Sequence, residues 1–137
     1  MPYEVLRTPQ VATALQRMST RERRSYDAAR DSLRGEGCKA GGYRLAAAEI
    51  GGDYPPCCRH LTRAWRMFTA YPDEQRIVIV ALDEHDRDHN PAAELAQVLP
   101  GLATIGRRRS DKPPCCEQDE QPPEMNEELR DLLAALA

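Results

Sequence analysis

The tetrapeptide Pro-Pro-Cys-Cys occurs twice in this 137-residue chain, at 55–58 and at 113–116, and Cys38 is the fifth cysteine. Thiolates with an imidazole could hold zinc, and paired thiols could close a disulfide. Zinc usually draws on cysteines separated by two to four residues, so that one turn aims both sulfurs at the ion. Here the paired cysteines are adjacent, and adjacent side chains on an extended chain point to opposite faces. Cys57-x-x-His60 has a usable spacing but no second pair to complete it. The expectation is therefore no metal and no other cofactor. A bridge from Cys57 or Cys58 to Cys115 or Cys116 would tie the tail to the body of the chain. The opening MPYEVLRTPQ lacks a basic segment followed by an apolar one, which points to a cytoplasmic protein. Thiols stay reduced there, so free cysteines are the expectation.

The first Pro-Pro-Cys-Cys runs straight into the most basic and aromatic stretch of the chain, CCRHLTRAWRMF, which carries Arg59, His60, Arg63 and Arg66. Seventeen of the 19 basic residues are Arg. A guanidinium suits bidentate phosphate binding, although a GC-rich coding sequence would give the same bias. Two more histidines, His85 and His89, sit in EHDRDH. Imidazole titrates near neutrality and suits proton transfer. Residues 1–109 hold 17 Arg and Lys against 14 Asp and Glu, whereas residues 110–137 hold 2 against 8. A mildly basic body with an acidic tail raises the question of a nucleic-acid partner or of self-masking. No apolar run approaches the roughly 20 residues a membrane span needs.

These residues must be positioned by short elements. PYEVLRT reads as a strand. Thr8 is a helix N-cap with Pro9 at the first helical position, where its missing N–H costs nothing. Val11, Leu15 and Met18 continue a helix over about 9–18. Ser19 and Glu22 form a capping box that starts a second helix. Tyr26, Ala29 and Leu33 line its inner face, and Gly35 and Gly37 end it, so the pair should form a helical hairpin. From Cys38 to Pro56 the chain reads as a long loop with one helical turn near 45–50. Strands follow at about 57–62, 64–71 and 75–82, an antiparallel meander. RIVIVAL is continuous and β-branched, as a strand buried on both faces would be. Asn90 and Pro91 open a helix to about 99. Residues 101–123 form a polar, Pro-rich linker, and 124–137 an amphipathic helix with Met125, Leu129, Leu132, Leu133 and Leu136 on one stripe.

The fold class is therefore α+β: an N-terminal strand, a helical hairpin, a three-stranded meander, a following helix and a tail helix. That order, with GYRL ahead of CRHLTRAWRMFTAY and then IVIVALDEHD, resembles the RelE/ParE toxin superfamily over residues 1–100. The resemblance implies an endoribonuclease that cleaves mRNA on the ribosome without a metal and is neutralised by an antitoxin protein. In that chemistry a ribose 2′-OH attacks the adjacent phosphate. A base takes its proton, an acid protonates the leaving 5′-oxygen, and cations hold the phosphorane. By resemblance WRMFTAY places Arg66 on the scissile phosphate, and His85, at the end of the last strand, is the acid or base. His60 and Arg63 are further catalytic candidates. Arg59, Arg44, Lys39 and His89 are candidates for substrate binding.

Two features depart from the family pattern. Asp86 and Asp88 stand where many ribonuclease members carry a base-stacking Tyr. Strand alternation also puts Arg59, Leu61 and Arg63 on one face and His60 with Thr62 on the other. The alternative reading is a non-catalytic protein of the same fold, a gyrase inhibitor or an interaction module. The acidic tail could mask the arginine-bearing face, contribute to a homodimer, or simply cap the sheet.

Overall fold

The computed structural model describes residues 2–44, 56–84, 125 and 127–136. Its elements are β1 (Glu4–Arg7), α1 (Pro9–Gln16), α2 (Thr20–Glu36), a 3₁₀ turn (Gly37–Ala40), β2 (Tyr43–Arg44), β3 (Cys57–His60), β4 (Trp65–Ala70), β5 (Arg76–Glu84) and α3 (Glu127–Leu136). The class is α+β, as expected. The helix expected at 91–99 and the linker at 101–123 lie outside the described residues.

The strands form one mixed sheet in the order β1-β5-β4-β3-β2, with β2 only two residues long. β1 lies parallel to β5, and the other pairs are antiparallel. The stretch expected to be a long loop from Cys38 thus contains part of the 3₁₀ turn and an edge strand, and the helical turn expected near 45–50 lies outside the described residues. Gly42, at φ 89°, lets the chain enter β2: a Cβ there would run into the Cys58 carbonyl oxygen.

Local sequence accounts for the start of α2, but for that of α1 only through Pro9 at the first helical position. Ser19 and Glu22 make the full capping box, with Glu22 N–H donating to Ser19 Oγ at 3.2 Å and Ser19 N–H to Glu22 Oε1 at 2.8 Å. Thr8 occupies the α1 N-cap position, but its side chain does not cap the helix. Its hydroxyl donates instead to Val80 O at 2.7 Å. Two residues on, the Gln10 amide donates to Leu82 O and accepts from Leu82 N–H, at 2.9 and 3.0 Å. Thr8 and Gln10 therefore satisfy the edge of β5 beyond the end of β1. Gly35, expected to help end α2, lies inside it, and Gly37 at φ 68° ends it.

The sheet is covered on both faces. Toward the helices, Val11, Ala14, Met18, Tyr26, Ala29 and Leu33 pack with Cys57, Trp65, Met67, Ile77, Ile79 and Leu82. On the opposite face Met125, Leu129 and Leu133 pack with Cys58, Phe68, Ala70, Val78, Val80 and Ala81. This explains why all of β4 and Ile77–Asp83 of β5 are buried. The tail helix caps the sheet, and its stripe is narrower than expected, because Leu132 is 44% exposed.

One irregularity decides which residues share a face. Phe68 pairs with Ala81 but Thr69 pairs with Ile79, so Val80 is an extra residue on β5. Such a bulge shifts the side-chain alternation by one position. Ile77 and Ile79 face the helices, yet beyond the bulge it is Leu82 that does so, and Ala81 lies on the α3 side.

Candidate functional site

The bulge brings a row of polar side chains together on the α3 side of the sheet. In register across three neighbouring strands stand His60 of β3, Arg66 of β4 and Asp83 of β5. Directly opposed residues on one face hold their Cβ atoms about 4.5–5.5 Å apart. Arg66 Nη2 donates to Asp83 Oδ2 at 2.7 Å, and the two side chains are 7% and 1% exposed. The guanidinium also lies over the Phe68 ring, with Cζ 5.9 Å from its centroid. Among the described residues Arg66 Nε–H has no acceptor although it is buried. A buried donor left unmade costs roughly 1–3 kcal/mol. A guanidinium offers five N–H donors in a fixed fork, so the Asp83 pair leaves donor capacity on this face.

His60 is exposed at the end of β3 and stacks on Tyr43 of β2, with ring centroids 6.3 Å apart and an interplanar angle of 28°. The arrangement thus offers an accessible imidazole opposite a held cation whose counter-charge is fixed behind it.

The other arginines expected at the site go elsewhere. Arg59 alternates to the helix side and donates from Nη1 to Ala40 O at 3.0 Å, tying β3 to the 3₁₀ turn. Arg63 is exposed in the turn between β3 and β4. That turn is pinned by Thr62 Oγ1, which accepts from the N–H groups of Ala64 and Trp65 at 3.1 and 3.2 Å. Lys39 is exposed in the 3₁₀ turn. Arg44 belongs to β2, opposite Cys57. His85 and His89 lie outside the described residues. Of the expected site residues the sheet therefore joins His60 and Arg66. It adds Asp83 and Tyr43, which the sequence reading missed. A carboxylate inside the strand, directly after the apolar run IVIVAL and ahead of Glu84, was the available signal for Asp83.

The cysteines depart from the expectation of free thiols. Cys38 and Cys57 are both disulfide-bonded, and Cys58 is buried and outside any disulfide. The adjacent pair is split between the two faces, with Cys57 in the helix-side core and Cys58 beneath α3. At these two positions the expectation of reduced thiols does not hold. Among the described residues no group of three or more His, Cys, Asp or Glu side chains converges as a metal site. No helix among them is long and apolar enough to cross a membrane.

Compared with known proteins, the chain matches no family model, no curated protein and no solved structure.

Proposed function

We propose that this chain is a RelE/ParE-like endoribonuclease of the toxin type, working on RNA at the face that bears His60, Arg66 and Asp83. The observation that carries the reading is the in-register row itself: an exposed imidazole opposite a buried guanidinium that keeps an unpartnered Nε–H among the described residues. The order of elements, with β1 added parallel to the last strand of the meander, supports it. In this reading Arg66 holds the scissile phosphate and Asp83 fixes the guanidinium. His60 takes the proton from the attacking 2′-OH or delivers one to the leaving 5′-oxygen. The P–O5′ bond breaks as the 2′-oxygen bonds to phosphorus, leaving a 2′,3′-cyclic phosphate. mRNA, the ribosome and an antitoxin are the partners that follow.

A second reading is favoured by one specific feature. Arg66 is 6% exposed and already neutralised by Asp83. A non-catalytic protein that binds another protein through the same fold would use this pair purely for structure.

An RNA cleavage assay separates the two. On the nuclease reading His60→Ala lowers the cleavage rate by about 10²–10⁴-fold, and Arg66→Lys, which keeps the charge but loses the fork, lowers it as well. Wild-type cleavage by both folded variants would remove the site from this face. A folded wild-type protein that cleaves no RNA, alone or with ribosomes, would leave the protein-binding reading.

A further inference from the structure

A cavity of about 610 Å³ opens between the first turns of α2 and the β3–β4 turn. Its walls include Arg21, Glu22 and Ser25 on one side and Leu61, Thr62 and Arg63 on the other. Most arginines of the described residues are committed. Arg17, Arg30, Arg34, Arg66 and Arg76 are ion-paired, to Glu84, Asp27, Asp31, Asp83 and Asp73 respectively. Arg23 and Arg59 donate to backbone carbonyls. Arg21 and Arg63 are exposed, and among the described residues neither guanidinium has an ion pair or a hydrogen bond. Arg21 and Arg63 thus line one cleft from its two sides, with the Glu22 carboxylate beside Arg21 on the same wall.

The acid on the wall is already engaged. Glu22 accepts the Ser19 N–H in the capping box. That bond to the Ser19 backbone, with smaller contributions from the Ser19 and Trp65 side chains, outweighs burial and holds its carboxyl below the usual carboxylate range. The same capping box occupies the free end of α2, so the arginines, not the helix terminus, define the cleft's chemistry. The Leu61–Ala64 turn joins β3 to β4, so the cleft lies at the same end of the sheet as His60 and Arg66, but on the helix side, around the edge from them.

We infer that this cleft binds a backbone phosphate of a single-stranded RNA that passes around the end of the sheet from the site bearing Arg66, with Arg21 and Arg63 as its two contacts. The inference rests on the ribonuclease reading for the identity of the ligand, and its test is separate. Exposed, unpaired arginines can be changed without leaving a buried charge behind, so Arg21→Gln/Arg63→Gln should fold as the wild type does, which circular dichroism checks. The measurement is fluorescence anisotropy of a labelled single-stranded RNA oligonucleotide, titrated at several salt concentrations. Each phosphate contact on a single strand contributes about 0.7 to the slope of log K against log salt. The double variant should bind more weakly at low salt, with a slope shallower by about 1.4, twice that per-contact value. Arg34→Gln, which removes an exposed but paired arginine, should leave the slope unchanged.

An unaltered slope and affinity in the double variant would overturn the cleft, even if RNA is cleaved normally. A wild-type protein that binds no RNA would overturn it too. The expected slope change in a protein that shows no cleavage would uphold the cleft and remove the nuclease reading instead.

Discussion

Asp83→Asn should be among the most costly single changes in this protein. The substitution leaves the shape of the side chain and removes its charge. Arg66 then stays in the sheet as a cation without its counter-charge, because the Arg66 side chain is only 7% exposed and its partner only 1%. Breaking a buried pair from one side costs about 3–5 kcal/mol, whereas an exposed pair contributes about 0–1 kcal/mol. Domains of this kind hold about 5–15 kcal/mol in total, so the change removes a large fraction of the stability. With a urea m-value of about 1.5 kcal/mol/M, within the usual range for small proteins, the midpoint should fall by about 2–3 M. Urea unfolding followed by circular dichroism at neutral pH measures this directly.

The double variant Arg66→Met/Asp83→Leu makes the test sharper. Replacing a buried pair by apolar side chains of similar volume is often neutral or stabilising, so the double variant should recover most of the loss. If the pair also serves the proposed chemistry, the same variant should be stable and yet fail to cleave RNA. Stability and function would then part company in a single protein. A loss below about 1 kcal/mol for Asp83→Asn would refute the reasoning. It would mean that Asp83 does not lie buried against Arg66, and that the register shift at Val80 is misplaced.

Two other predictions concern the second face and the thiols. Leu133 is fully buried beneath the sheet and Leu132 is 44% exposed, so Leu133→Ala should cost about 2–5 kcal/mol and Leu132→Ala less than about 0.5 kcal/mol in urea unfolding; equal small effects would show that α3 is not docked. Alkylation of the unfolded, unreduced protein followed by peptide mass spectrometry should modify Cys58 and spare Cys38 and Cys57, all three reacting after reduction; labelling of Cys38 or Cys57 before reduction would contradict their disulfide-bonded state.

What the sequence revealed and what it hid follow from how far apart the deciding residues lie. The capping box spans three residues, and Ser19 and Glu22 make it as the spacing indicates. The β-branched run after Arg76 is buried on both faces because helices cover one side and α3 the other. Local composition carries the first half of that statement but not the identity of the second cover. The amphipathic stripe of α3 shows that it must dock, and nothing local says on which surface. Register is harder still. Strict alternation from Ile77 would put Ile79, Ala81 and Asp83 on the helix side, away from Arg66. One extra residue at Val80 reverses that assignment, and a bulge in an apolar run has no compositional mark when neither Gly nor Pro is present. The sequence therefore singles out Arg66 but not its partner, and the partner changes what Arg66 can do. An arginine read as an open phosphate clamp is instead a buried cation held from behind by Asp83, with His60 opposite. Among the described residues Arg21 and Arg63, at the end of the same sheet, are open to solvent and unpaired, and the sequence reading placed only the second of them near the chemistry. Charge that is already balanced can orient a substrate, while charge that is unbalanced and exposed can recruit one. On the proposed reading these two tasks fall to different arginines.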